Sequence, residues 1–277
     1  MTLSSDLLVQ ILEFAAAVAL TGAVSGFLAG LFGIGGGAVI VPVLYQVLGA
    51  IGVDEAVRMH VALGSSMAIV LPTAVRSVMA HHARGTVDMA VLRAFAVGVP
   101  LGVAAASLVV AAVSGAGLRA IFAAAIVLIS LKMLLGRASW RLGDTLPGRW
   151  TTGIVGLAIG FLSTLMGVGG GVFSTLYLTL FGRPVLQAIS TSAGVGVLIA
   201  VPGTIGYMIA GWSRTGLPPF SIGYVNVVAV ALVIPVALLV TPLGVAVAHR
   251  LDKRRLEVLF GLFLLAVATR FVVSLLP

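Results

Sequence analysis

A twelve-residue block occurs twice in this chain. Residues 26–37 read GFLAGLFGIGGG and residues 160–171 read GFLSTLMGVGGG, with eight of the twelve positions identical. The blocks lie 134 residues apart, close to half of the 277-residue chain. Each ends in three consecutive glycines within an apolar stretch. A glycine in a helix interior costs about 1 kcal/mol relative to alanine, so a triple glycine marks a place where a helix breaks. Breaks at matching points of two halves point to a duplicated site. In secondary transporters, paired glycine-interrupted hydrophobic segments are the sequence mark of the substrate site.

Composition decides the solvent around these blocks. The chain is 60% hydrophobic and 9% charged, with mean hydropathy +1.23, whereas a soluble domain carries about 25% charged residues. Several apolar runs reach the roughly 20 residues that a helix needs to cross a bilayer. The reading is an all-α integral membrane protein with short loops, set in the cytoplasmic (inner) membrane of a prokaryote. The net charge of +8 sits at span ends and in loops, where Lys and Arg set topology. Nucleic acid is therefore not an expected partner; membrane lipid is. There is no cysteine, which excludes disulfides and Cys-ligated metal. His60, His81, His82 and His249 have no metal-ligand spacing, and no metal or cofactor is expected. His81 and His82 read as a solvated loop pair. The N-terminus has no Lys or Arg before its apolar stretch and carries Asp6 and Glu13, so it reads as the start of the first span rather than a leader.

Ten apolar elements can be drawn, at 7–32, 36–50, 56–82, 87–113 and 116–136, then 150–167, 170–182, 187–211, 221–248 and 255–276. They form one repeat over 1–136 and a second over 150–277, joined by a polar linker at 137–149. Further landmarks recur in order. PLGVA stands at 100–104 and 242–246, and Ser65-Ser66 matches Thr191-Ser192. Arg137, Arg141 and Arg149 mark the linker as cytoplasmic, and Arg250, Lys253, Arg254 and Arg255 mark the loop near 250–255 likewise. The loop holding His81, His82 and Arg84 falls on the same side. Its counterpart at 211–219 falls on the opposite side and holds only Arg214. The halves are thus expected to be inverted. The second elements of 13–15 residues span only about 20–22 Å, which suggests broken or re-entrant helices at the glycines. The count is then 8–10 membrane segments, about five helical elements per repeat.

The two glycine blocks, the two PLGVA segments and the TSAGVGV stretch at 191–197 resemble the TauE/SafE family, membrane proteins grouped as sulfite exporters. The resemblance covers nearly the whole chain. It implies transport of anions, typically export of sulfite, sulfoacetate or related sulfur oxyanions and sulfonates. One departure is local: GSSM at 64–67 stands where the second half has STSA at 190–193.

The residues themselves suggest how an anion would be held. If helices restart after Gly35, Gly36 and Gly37, and after Gly169, Gly170 and Gly171, their first N–H groups and dipoles favour an oxyanion. Close helix packing is the competing account, and it fits the four-residue spacing of Gly22, Gly26 and Gly30 and of Gly156, Gly160 and Thr164. Ser65, Ser66, Thr191 and Ser192 could add hydroxyl donors, or simply bond back to their own helix. Arg76, an ionisable residue within a span, is a further substrate candidate. The chain lacks an HExxH motif, a phosphate-binding P-loop and an intramembrane acid pair, so an enzyme is not expected. A secondary transporter exporting a small anionic substrate by alternating access is the leading expectation. An importer or channel for another small anionic or neutral solute is the alternative. Assembly into a homo-oligomer is left open.

Overall fold

The computed structural model describes residues 20–31, 36–135, 141–250 and 253–273. Gly35 and the expected start of the first span lie outside these residues. The first half holds α1 (Leu20–Leu31), α2 (Gly37–Ala50), α3 (Glu55–His82), α4 (Met89–Phe95), α5 (Gly98–Ala112) and α6 (Gly115–Leu135). The second holds α7 (Arg149–Leu165), α8 (Gly171–Leu180), α9 (Val185–Ala210), α10 (Val227–Ala248) and α11 (Lys253–Val273). Among the described residues, five stretches are long and apolar enough to cross a membrane: α3, α4 with α5, α6 to Lys132, α9 and α10. The protein is an integral membrane protein and nearly all-helical.

The helices after the glycines are short, 14 residues for α2 and 10 for α8. At 1.5 Å per residue they reach about 21 and 15 Å, well under the roughly 30 Å of a hydrocarbon core. Two departures from the expected elements have local causes. The fourth element breaks at Ala96 and Val97, between α4 and α5. Pro100 has no N–H to bond the Ala96 carbonyl, and its ring crowds that carbonyl, so the helix restarts with the proline in its first turn. Pro242 of the matching PLGVA instead lies within α10, which runs through it. The segment at 221–226 is not helical. It forms an antiparallel hairpin, β1 (Ser221–Ile222) with β2 (Val225–Asn226), in register Ser221 to Asn226. Gly223 turns it at φ 56°.

Small residues decide which helices meet. A Cβ on Gly26 or Gly30 would run into the carbonyls of Ala237 or Thr241 on α10, and one on Gly244 into that of Phe27. Likewise, a Cβ on Gly98 or Gly102 would strike the carbonyls of Gly153 or Leu157 on α7, and one on Gly160 that of Val99. The four-spaced glycines are therefore packing residues, and they join α1 to α10 and α7 to α5 across the two halves. The central pair is α3 with α9; α2 lies on α3, α8 on α9, and α6 against α11. Without a hydrophobic drive between helices in lipid, such close backbone approach is what holds them together.

Gly26→Ala and Gly102→Ala should each destabilise by about 1–3 kcal/mol, as overpacking does. Gly148→Ala, whose added methyl meets nothing within 4 Å, should stay within about 0.5 kcal/mol. Unfolding in detergent micelles checks the contrast.

Candidate functional site

The two glycine blocks meet in space. Gly36 caps α2 at φ 75° and Gly170 caps α8 at φ 69°, both left-handed and neither helped by a side-chain cap. An L-residue with a Cβ pays about 1 kcal/mol or more for that conformation, which accounts for a glycine at each point. Gly37, the first residue of α2, lies against the second block: its Cβ would strike the Gly167 carbonyl and stand 2.8 Å from Val168 Cα. Gly167 is itself left-handed, at φ 64°. Ser66 of α3 donates to its carbonyl at 2.8 Å, and Gly196 of α9 leaves room for the Gly169 carbonyl. Backbone of both halves thus lies together, buried, beside the central α3–α9 pair.

The start of α8 carries donors without acceptors. Ser174 N–H reaches back to the Gly170 carbonyl at 3.0 Å. The N–H groups of Gly171, Val172 and Phe173 have no acceptor among the described residues. Ser163 of α7 is fully buried, and its Oγ is likewise unpartnered. That oxygen lies 3.2 Å from where a Cβ on Gly170 would stand, with Ile199 closing the other side. Ser163 was not singled out by the sequence, because Ala29 holds the equivalent place in the first block. A hydroxyl beside a helix N-terminus adds a donor to the same place.

The matched hydroxyls have other tasks. Ser65 Oγ accepts from the Asn226 N–H, and Thr191 Oγ1 accepts from the Asp88 N–H, each at 2.9 Å. Asp88 and Asn226 are the N-caps of α4 and α10, bonding Ala90 and Val91 at 3.1 Å and Ala229 at 3.0 Å. The pair therefore anchors the helix start that follows the third element in each half. Ser192 bonds back to the Ile189 carbonyl at 2.9 Å and pairs with Thr175 at 2.8 Å. Of the four hydroxyls, Ser66 alone is hydrogen-bonded to the glycine blocks among the described residues. Arg76 is exposed on α3, about 15 Å along the axis from Ser66, and is not brought to them.

His81 corrects the expectation of a solvated pair. It is fully buried in the last turn of α3, while His82 is exposed. Its Nε2 lies 3.2 Å from the Gly30 carbonyl and its Nδ1 3.0 Å from Ser190 Oγ. A carbonyl only accepts, so Nε2 carries the proton; Ser190 Oγ, beside Nδ1, also reaches the Leu186 carbonyl at 2.7 Å and Thr86 Oγ1 at 2.7 Å. The His249 ring stands 5.5 Å away. Helical spacing carried the signal: Ser66, Val70, Thr73, Ser77 and His81 form one buried stripe of α3.

The family model described as sulfite exporter TauE/SafE matches residues 18–271. A probable membrane transporter protein of Haemophilus influenzae is 34% identical over 249 residues, covering 90% of this chain and 94% of that protein. One of Methanocaldococcus jannaschii is 26% identical over 255 residues, covering 89% and 93%. One of Bacillus subtilis is 25% identical over 270 residues, covering 91% and 94%. No solved structure matches the chain.

Ser66→Ala strands the buried Gly167 carbonyl and should cost about 1–3 kcal/mol. Arg76→Gln, on an exposed face, should cost less than about 0.5 kcal/mol. Thermal melts of the two variants in the same detergent read the difference.

Proposed function

The chain belongs to the sulfite exporter TauE/SafE family, and on that premise we propose that it is a secondary transporter carrying small sulfur oxyanions or organosulfonates out of the cell. The observation that carries the reading is the meeting of the two glycine blocks, Gly37 on Gly167, where helices of both halves begin. Non-helical backbone at membrane depth is tolerated where protein or a water-lined cavity satisfies it. Free N–H groups and a helix dipole there suit an anion better than a cation. The Gly171–Phe173 amides and Ser163 Oγ are the donors that an oxyanion would take. Glycine at 36, 37, 169, 170 and 171 lets it approach the backbone.

The two halves act as inverted repeats about this point. Helix pairing supports that reading, because α1 on α10 answers α7 on α5, and α2 on α3 answers α8 on α9. Alternating access then follows when one half rocks against the other around a fixed site. The energetics need no ATP. A monovalent anion leaving a cell held at −100 mV gains about 2.3 kcal/mol, enough for roughly a 50-fold outward gradient.

Gly170→Leu places a branched side chain on a left-handed residue and into the space shared with Ser163 and Ile199. In proteoliposomes it should cut sulfite and methanesulfonate flux by at least about tenfold, the effect of losing one good contact, while the protein still elutes as a single folded species. Undiminished flux from such a species would sink the reading. Flux that saturates and is stimulated by substrate on the far side marks a carrier; ohmic current marks the channel alternative.

A further inference from the structure

At the end of the molecule away from the linker, four arginines gather around one carboxylate. Glu55 and Arg119 pair across the starts of α3 and α6, so these helices run in parallel and share this end. Arg58 follows one turn into α3, Arg214 stands just beyond α9, and Arg270 lies in the last turn of α11. Two cavities open here, of about 510 and 520 Å³, and Glu55 and Arg119 line both. Arg58 and Arg270 line the first, and Arg214 the second. Asp54 is close in sequence, but its carboxylate caps Ala56 N–H at 2.9 Å, and it lines neither cavity.

Lysine and arginine counting places this end outside the cytoplasm, where arginines run against the positive-inside bias. Their hydrogen bonding suggests why they are there. Arg119 is only 8% exposed. Its Nη1 meets Glu55 and donates to the Tyr45 hydroxyl at 3.2 Å, while its Nε has no acceptor among the described residues. Arg58 is held ready: Nε and Nη2 donate to the Val53 carbonyl at 3.0 and 2.7 Å, and its guanidinium carbon sits 5.4 Å from the Tyr45 ring centroid. The Glu55 side chain, in contrast, is 56% exposed. The Glu55 carboxylate faces water, but Arg119 is buried, so Glu55 leaves it at small cost only as another oxyanion takes its place on the guanidinium. A guanidinium fork matches a carboxylate, sulfonate or phosphate group equally well.

We propose that this basin is an oxyanion-binding site separate from the glycine blocks. The ligand's anionic oxygens replace Glu55 on Arg119, and Arg58 and Arg270 supply the remaining positive charge. Glu55 is a tethered occupant that a soluble sulfonate or carboxylate, or a lipid phosphate, displaces. The two sources share one chemistry and are separated by experiment.

Arg119→Gln and Glu55→Gln break the same ion pair, which makes their comparison decisive. A pair that only fastens α3 to α6 lowers the melting temperature in both variants and leaves binding alike. A binding site gives opposite signs. Methanesulfonate is titrated calorimetrically into protein in uncharged maltoside micelles at low salt. Glu55→Gln should tighten binding about fivefold, and Arg119→Gln should weaken it about tenfold or more, the worth of one charge-assisted contact. Arg58→Gln, a milder change on a half-buried residue, should weaken it less. In nanodiscs, competition by phosphatidylglycerol but not by zwitterionic phosphatidylcholine identifies the phosphate of a net-anionic lipid headgroup as occupant; methanesulfonate binding without competition identifies a soluble anion. Equal affinities in Arg119→Gln, Glu55→Gln and the unaltered chain overturn the proposal, as does binding of neither methanesulfonate nor phosphatidylglycerol. Because flux through the glycine blocks is measured separately, either site can fail alone.

Discussion

In lipid, every backbone N–H and C=O has to find a partner within the protein or in a water-lined cavity. The two helix breaks are where that requirement bites hardest. Gly36 and Gly170 are the left-handed residues from which α2 and α8 start. The carbonyl exposed at Gly167 is taken by Ser66 from the other half, and Gly37 lies directly on the same peptide. Neither break can be buried without its counterpart. The first repeat supplies the hydroxyl and the glycine, and the second supplies the carbonyl. The rest of the architecture arranges around that exchange, with α3 and α9 at the centre and the short α2 and α8 lying on them.

Small residues extend the same logic outward. Glycines at four-residue spacing let α1 approach α10 and α7 approach α5 backbone to backbone. Each of these pairs joins one half to the other, so the halves interlock rather than sit side by side. The polar clasps cross between the halves too. His81 ties α3 to Gly30 of α1 and to Ser190 of α9. Ser65 and Thr191 hold the caps of α10 and α4, each belonging to the opposite half.

Charge is placed at the two ends with different partners. Toward the linker, Arg183 meets Asp88 at 3.4 Å and Arg141 meets Asp144 at 3.6 Å. At the other end, arginines outnumber the carboxylates that line the same cavities. Within that basin, burial raises the proton affinity of the Tyr224 hydroxyl, which Arg214 opposes. The phenol therefore stays protonated beside the cluster.

Sequence alone determined the helical, membrane-embedded class, because apolar runs of that length have no other stable form. It also placed the starts of α2 and α8 to within a residue, since local conformational cost is written in the residue type. Helix limits for α3, α6 and α9 were legible to one or two residues for the same reason. It could not reveal that Pro100 restarts a helix while Pro242 lies within one, because the outcome depends on what neighbouring helices offer the freed carbonyl. The pairing of Ser65 with Asn226 and of Thr191 with Asp88 was equally hidden, as were the burial of His81 and the unpartnered Ser163. Each joins residues that are distant in the chain, or depends on a neighbour's absence. Periodicity reports which face of a helix is buried but not what lies opposite. Only the tertiary structure chose the partners, because hydrogen bonds and backbone contacts depend on ångström-scale distances between elements that sequence order does not encode.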